Sequence, residues 1–254
     1  MKNLTRAGAA AVAASILLTI SLPAAADQLL VAASASFRPA LAALQKRFEA
    51  RTDDTISAVI GNTDDLTRQI RAGAPYDLLI ADDAEHPRAL AEDGVADAPA
   101  EIGRGRLILW TTADRPLPSD GLAGLDPTKL KQLVIANPDQ SAYGKAAAAS
   151  LHGAGLWQAL VGKLIIADTV TAAFQHAAVQ DGGYALVSLA QARDASAPKG
   201  HWVPVDTPGD SPIRMEVARL RQGSAPAAAQ RFVEFLRSAD ARPVLERFGF
   251  SAPN

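Results

Sequence analysis

The stretch Ile56-Ser57-Ala58-Val59-Ile60-Gly61-Asn62-Thr63-Asp64-Asp65-Leu66-Thr67-Arg68-Gln69-Ile70-Arg71-Ala72-Gly73-Ala74-Pro75-Tyr76-Asp77-Leu78-Leu79-Ile80-Ala81 changes its pattern twice. Ile56 to Ile60 reads as a strand. Asp65 to Ala72 reads as a short helix, with charged residues interleaved between Leu66 and Ile70. Asp77 to Ala81 is a short apolar run of the kind a fully buried strand shows. A strand, a polar loop opening a helix, then another strand is the unit from which α/β domains are built.

The same alternation extends in both directions. Leu29 to Ala33 is a buried strand, and residues 37–50 follow as a helix with Phe37, Leu41, Leu44 and Phe48 at helical spacing. Residues 86–93 are helical and Arg106 to Trp110 is a strand. The second half repeats the grammar: a strand at Leu133 to Ala136, an alanine-rich helix at Gly144 to Leu151, a strand at Leu164 to Ala167, a helix over residues 170–179 and a strand at Tyr184 to Val187. Beyond the Pro/Gly/Asp-rich stretch Pro204 to Pro212, a strand at Met215 to Leu220 and helices at Pro226 to Arg237 and Arg242 to Phe248 complete the chain. The fold class is therefore α/β with mainly parallel sheets.

The N-terminus sets the compartment. Lys2 and Arg6 precede an apolar run from Ala9 to Leu22, and Pro23-Ala24-Ala25-Ala26 follows. A basic start, an apolar middle and small residues at the end describe a secretory signal peptide over residues 1–26, cleaved after Ala26. The mature product is expected in the periplasm. The chain has no cysteine, which excludes disulfides, thiolate metal sites and cysteine nucleophiles. Its formal net charge is −2, with no basic block, so nucleic acid is not an expected partner.

Parallel sheets bind ligands beyond the carboxyl ends of their strands. Four loops sit in that place: Ala33-Ser34-Ala35-Ser36, Gly61-Asn62-Thr63-Asp64-Asp65, Asn137 to Gly144, and Asp168-Thr169-Val170. Each presents main-chain N–H groups at a helix start with the positive end of the helix dipole behind them. Two loops from each half could thus enclose a compact anion without lysine or arginine. The hydroxyls of Ser36, Thr63 and Ser141 would add donors, and Ser36 also suits the N-cap of the following helix.

Signals of catalysis are weak. His86, His152, His176 and His201 lack metal-ligand spacing, and no nucleophile elbow, phosphate loop or dinucleotide fingerprint is present. Asp82-Asp83 after a strand could form a carboxylate pair, but helix capping and solvation account for it more simply. No catalytic residue and no cofactor are expected. A periplasmic enzyme built on Asp82, Asp83 or His86 is the rival from another class.

The run from Thr67 to Ala81 resembles the segment that follows the second ligand loop in the periplasmic molybdate-binding proteins of bacterial ABC transporters, members of the type II periplasmic binding proteins. Val31 to Phe37 is similar to their first strand and ligand loop, Asn137-Pro138 through Gly144 to a short form of their third loop, and Phe232 to Leu236 with Leu245 to Phe250 to their C-terminal helices. The resemblance covers nearly the whole mature chain. It implies two α/β lobes joined by two hinge crossings near Leu109 and Val217, with residues 27–108 and 218–254 in one lobe and 109–217 in the other.

It also implies a non-enzymatic, monomeric solute-binding subunit, capturing molybdate or tungstate for a membrane permease and its ATPase. Sulfate, phosphate or a small organic acid is the alternative ligand. By position the resemblance carries ligand contacts to Ser36, Thr63, Ala142 or its neighbour Tyr143, and Val170. Ser36, Thr63, Ala142 and Val170 would reach the metal atom only through the oxyanion's oxygens, never by direct ligation. Two departures stand out. Ser188 occupies a place where some relatives have a tyrosine donor, a role Tyr143 could fill. Asp64 and Asp65 stand where many relatives have small or neutral residues, and a carboxylate facing the cleft would compete with a dianion for the helix dipole.

Overall fold

The structure, a computed structural model, describes residues 26–179, 183–207 and 213–253. The expected signal peptide lies outside them apart from Ala26, as do residues 208–212 of the Pro/Gly/Asp-rich stretch. In chain order the elements are β1 (Gln28–Ser34), α1 (Arg38–Glu49), β2 (Thr55–Gly61), α2 (Thr63–Arg71), β3 (Leu78–Ala81), α3 (Glu85–Glu92), β4 (Ala100–Arg104), β5 (Leu107–Thr112) and β6 (Gln132–Ala136). They continue with α4 (Ala142–Gly153), α5 (Trp157–Leu160), β7 (Leu164–Ala167), α6 (Val170–Val179), β8 (Gly183–Ser188), α7 (Leu189–Ala192), β9 (Gly200–Pro204), β10 (Arg214–Arg219), α8 (Pro226–Arg237) and α9 (Arg242–Arg247).

The strands form two five-stranded sheets, ordered β2-β1-β3-β10-β4 and β7-β6-β8-β5-β9. In each, three strands are parallel, a fourth runs antiparallel beside them, and the fifth, antiparallel to the fourth, closes the edge. The two orders are the same winding: β6, β7, β8, β5 and β9 stand where β1, β2, β3, β10 and β4 stand. The antiparallel neighbours β10 and β5 are the strands next to the points where the chain passes between lobes.

Burial on both faces explains why these strands read as unbroken apolar runs. Val31, Ala33, Leu78 and Ile80 face a core with Phe37, Phe48, Phe232 and Phe250. Ala32, Leu79 and Ala81 face the opposite way, onto Leu66, Ile70 and Leu90. The second lobe has its own core around Trp110, Val134, Phe174 and Leu186.

The chain leaves the first sheet after Arg104, enters the second at Leu107, and is back in the first at Arg214. The crossings therefore precede the positions read from the sequence. Leu109 is paired with Leu186 and Val203, and Val217 with Ile80 and Ala100, so both lie inside sheets. The two connections touch: the Gly105 N–H donates to the Ile213 carbonyl at 2.8 Å. Strands β4 and β9 and the short helices α5 and α7 add to the elements legible in the sequence.

Candidate functional site

The carboxyl ends of β1, β2 and β3 lie side by side, and so do those of β6, β7 and β8. Six chain positions follow these ends: Ser34 to Ser36, Asn62-Thr63 and Asp82 from one lobe, and Ala142-Tyr143, Asp168 to Val170 and Ser188 from the other. The structure draws them together between the lobes. The Asn62 side-chain amide donates to the Asp168 carbonyl at 2.8 Å, and the Thr171 hydroxyl donates to the Ala35 carbonyl at 3.2 Å. Ala142 and Asp82 line one cavity of about 650 Å³, together with Asp83, Arg88, Lys145 and Arg214.

Ser36 does not cap a helix. It lies in a single 3-10 turn ahead of α1, whose N-cap is Phe37. Its buried hydroxyl is 2.6 Å from that of Ser34 and donates to Oδ2 of Asp82 at 3.2 Å. Thr63, the first residue of α2, donates to Oδ1 of the same carboxyl at 2.8 Å. Asp82 is thus the hub of the first lobe's contribution, clasped by the two hydroxyls singled out from the sequence. This corrects its reading as a capping or solvated residue: it is buried, and the N-cap of α3 is Ala84. Burial, and then the neighbouring charge of Asp83, push the Asp82 carboxyl above its ordinary range.

The second lobe contributes a phenol. Tyr143 is fully buried, and Ser188 donates to its hydroxyl at 3.1 Å while accepting from the Ala190 N–H. Burial holds the Tyr143 phenol protonated far beyond neutral pH, and Asp82 is near enough to add to the effect. A hydroxyl is therefore present beside the Ser188 position, delivered from the start of α4. Gly105 makes room for it, since a Cβ there would lie 2.1 Å from the Tyr143 hydroxyl. Ala142 and Val170 open α4 and α6, where main-chain N–H groups have no acceptor within the helix. Ser141 is the N-cap of α4, and its hydroxyl oxygen accepts from the Gly144 N–H at 3.4 Å.

Asp64 and Asp65 turn to solvent. Asp64 accepts from Arg68 at 3.3 Å and Asp65 pairs with the same guanidinium, both carboxylates standing well exposed. One guanidinium thus offsets part of their charge on the exposed face of α2. His86 lies between two carboxylates, with Nδ1 3.0 Å from Asp83 and Nε2 3.6 Å from Asp64. The hydrogen bond to Asp83 raises the imidazole's affinity for its proton against the opposing effect of burial. Burial acts to raise Asp83, but its bonds to His86 outweigh it and hold the carboxyl below its usual range. The two ring nitrogens of His86 thus face the carboxylates of Asp83 and Asp64.

Gln191 went unnoticed in the sequence. It is buried in α7 and donates to the Ala35 carbonyl at 3.0 Å and the Thr171 hydroxyl at 3.1 Å. A glutamine in a four-residue helix carries no local signal of such a role. Among the described residues no cluster of histidine, aspartate and glutamate suited to a metal ion is present.

Residues 29–251 match a family model described as bacterial extracellular solute-binding protein. The molybdate-binding protein ModA of Rhodobacter capsulatus is 28% identical over 247 residues, 96% of each chain. That of Azotobacter vinelandii is 30% identical over 226 residues, 87% of this chain and 88% of its own. Among solved structures, the Azotobacter vinelandii periplasmic molybdate-binding protein covers 89% of this chain and 100% of its own, with a TM-score of 0.77 and 22% identity. The sulfate-binding protein SubI of Mycobacterium tuberculosis covers 90% of this chain and 88% of its own, with a TM-score of 0.72 and 18% identity. At these identities the structural likenesses speak for the fold alone.

Proposed function

Because the chain belongs to the bacterial extracellular solute-binding protein family, alongside the ModA molybdate-binding proteins, we propose that it captures a tetrahedral oxyanion, molybdate or tungstate, between its two lobes and delivers it to an ABC importer. One observation supports this reading above the others. The hydroxyls of Ser36, Thr63 and Tyr143 and the first turns of α2, α4 and α6 meet between the lobes around Asp82, where among the described residues no basic side chain pairs with the carboxyl. Fixed dipoles and hydroxyls solvate an anion in that setting without a countercharge. The molecule acts as a monomeric carrier, exported to the periplasm, with a permease and its ATPase as partners and no cofactor of its own.

The rival enzymatic reading rests on Asp82, Asp83 and His86, of which Asp82 is engaged by Ser36 and Thr63, and Asp83 by His86. Titration calorimetry on the purified mature chain, residues 27–254, tests the proposal. Saturable binding of molybdate and tungstate is expected, with sulfate, phosphate and small organic acids weaker. No heat from any of these anions, in folded protein freed of ligand by unfolding and refolding, removes it.

A further inference from the structure

We propose that Asp82 ties the capture of an oxyanion to the capture of one proton, so that the site takes its ligand as an anion and proton together. The inference rests on the oxyanion reading above and extends it to the state of the ligand that binds.

The case is a count of protons. Each hydroxyl has a single proton to give. In the structure Ser36 gives its proton to Oδ2 of Asp82 at 3.2 Å, and Thr63 gives its own to Oδ1 at 2.8 Å. An anion held by those same hydroxyls must take both protons away from Asp82. Left ionised, the carboxylate would then face hydroxyl lone pairs and a second anion, inside a buried site. That combination is among the most costly in a protein interior. A proton on Asp82 resolves it. The carboxylic acid donates to the oxygen of Thr63 or Ser36, and the hydroxyl so engaged directs its own proton to the ligand. Acid, hydroxyl and oxyanion then form one chain of donors, and the acid's other oxygen, now uncharged, is the acceptor that gives up its hydroxyl partner.

No neighbouring charge offers another way out. On the same loop, Asp83 is an anion engaged with His86, which also faces Asp64. From α4 comes Tyr143, a neutral phenol, and Lys145, which reaches Glu85 across the cavity at 4.0 Å. From α3 comes Arg88, 3.7 Å from Glu216 of β10, and from the head of β10 comes Arg214 on the cavity wall. None of these cations is within ion-pair distance of Asp82 among the described residues. The carboxyl already holds its proton more tightly than an exposed aspartate because burial opposes its charge.

Calorimetric titration of the mature chain with sodium molybdate, run from about pH 6 to about pH 9 in buffers of different ionisation enthalpy, reads affinity and proton exchange together. The expected result is an affinity that falls with rising pH, by up to about tenfold per unit, with uptake approaching one proton per anion over the range where the free carboxyl is ionised and the bound one is not. The variant D82N is neutral at every pH and still offers a donor. It is expected to bind molybdate with a flat pH profile and no proton uptake. A level wild-type profile without proton exchange overturns the proposal and leaves the oxyanion reading standing. An unchanged slope in D82N overturns it as well. Molybdate that binds at no pH removes the oxyanion reading and this inference together. The buffer comparison needs only the wild-type chain, so poor folding of D82N does not protect the idea.

Discussion

The side-chain amide of Asn62 and the main-chain carbonyl of Asp168 are joined at 2.8 Å, and that bond links a helix-opening loop of one lobe to one of the other. Asn62 is the N-cap of α2, yet its side chain makes no capping bond. It is used between lobes instead. A bond between the lobes stabilises this arrangement over any in which the lobes stand further apart. Asn62→Ala is expected to weaken anion binding by about 0.5–1.5 kcal/mol, mainly through faster release. Stopped-flow displacement of bound molybdate checks this, and an unchanged release rate would show that the bond does not hold the lobes.

Ser36→Ala and Thr63→Ala should each lower molybdate affinity by about 1.5–3 kcal/mol, roughly ten- to hundredfold, as for other hydrogen bonds to charged groups. Arg38→Ala and Arg68→Ala should do far less. Arg38 is exposed at the start of α1, and Arg68 is committed to Asp64 and Asp65 on the outer face of α2. Calorimetry on the four variants separates a site of neutral donors from a salt-bridged one. Silence in both hydroxyl variants would place the ligand elsewhere.

Gly105 and Tyr143 are predicted to be coupled. A Cβ at residue 105 would overlap the Tyr143 hydroxyl, so Gly105→Ala must displace a fully buried ring. Overpacking of this kind costs about 1–3 kcal/mol. In a Tyr143→Phe background the offending oxygen is gone, and the cost of Gly105→Ala should shrink. Urea unfolding of the two single variants and the double variant gives the coupling. Strictly additive costs would mean that the ring does not depend on the absence of a side chain at the crossing.

His86 should make stability depend on pH in a specific window. Its folded pKa is raised, so its contribution is complete below the unfolded imidazole value of about 6.5 and is lost as pH rises through the folded value. Asp83 is lowered, so its contribution is present above the unfolded carboxyl value and is lost as pH falls through the folded one. The pair is therefore most stabilising in mildly acidic solution. Thermal melts of wild type and His86→Gln should differ most there and converge as pH rises above neutrality. A difference that grows on the alkaline side would contradict the placement of the imidazolium between Asp83 and Asp64.

Much of this architecture was legible in the residue pattern, for a physical reason. The parallel strands are buried on both faces, so Leu29 to Ala33 and Asp77 to Ala81 appear as apolar blocks that no exposed segment would tolerate. The edge strands β4 and β9 were not legible, because Ala100–Arg104 and Gly200–Pro204 are only partly covered and mix polar with apolar residues. The four loops were legible as helix starts. What each side chain does there was not. Ser36 has the type of a cap and is instead a partner of Asp82, while Ser141, of the same type, does cap its helix. Helix-start residues are chosen from the same few types whether they bond to the helix or to something beyond it. Only the fold says which. Asp82 shows the limit most clearly, since a carboxylate next to another carboxylate reads as solvent-facing until both hydroxyls are seen to close on it.

The shared winding of the two sheets has a consequence for how such a protein can change over generations. Asp82 directly follows the third parallel strand in one lobe and Ser188 closes it in the other, so corresponding places on two copies of one plan carry an acid and an alcohol. Asp82 lies one residue past β3 and Ser188 is the last paired residue of β8, and neither belongs to the side chains that fill the cores. Mutation there alters what the cleft accepts and leaves the packing that keeps each lobe folded largely alone. Ligand choice and folding are thereby exposed to selection through different residues, and a lineage can try new cargo by changing a handful of positions without rebuilding either half.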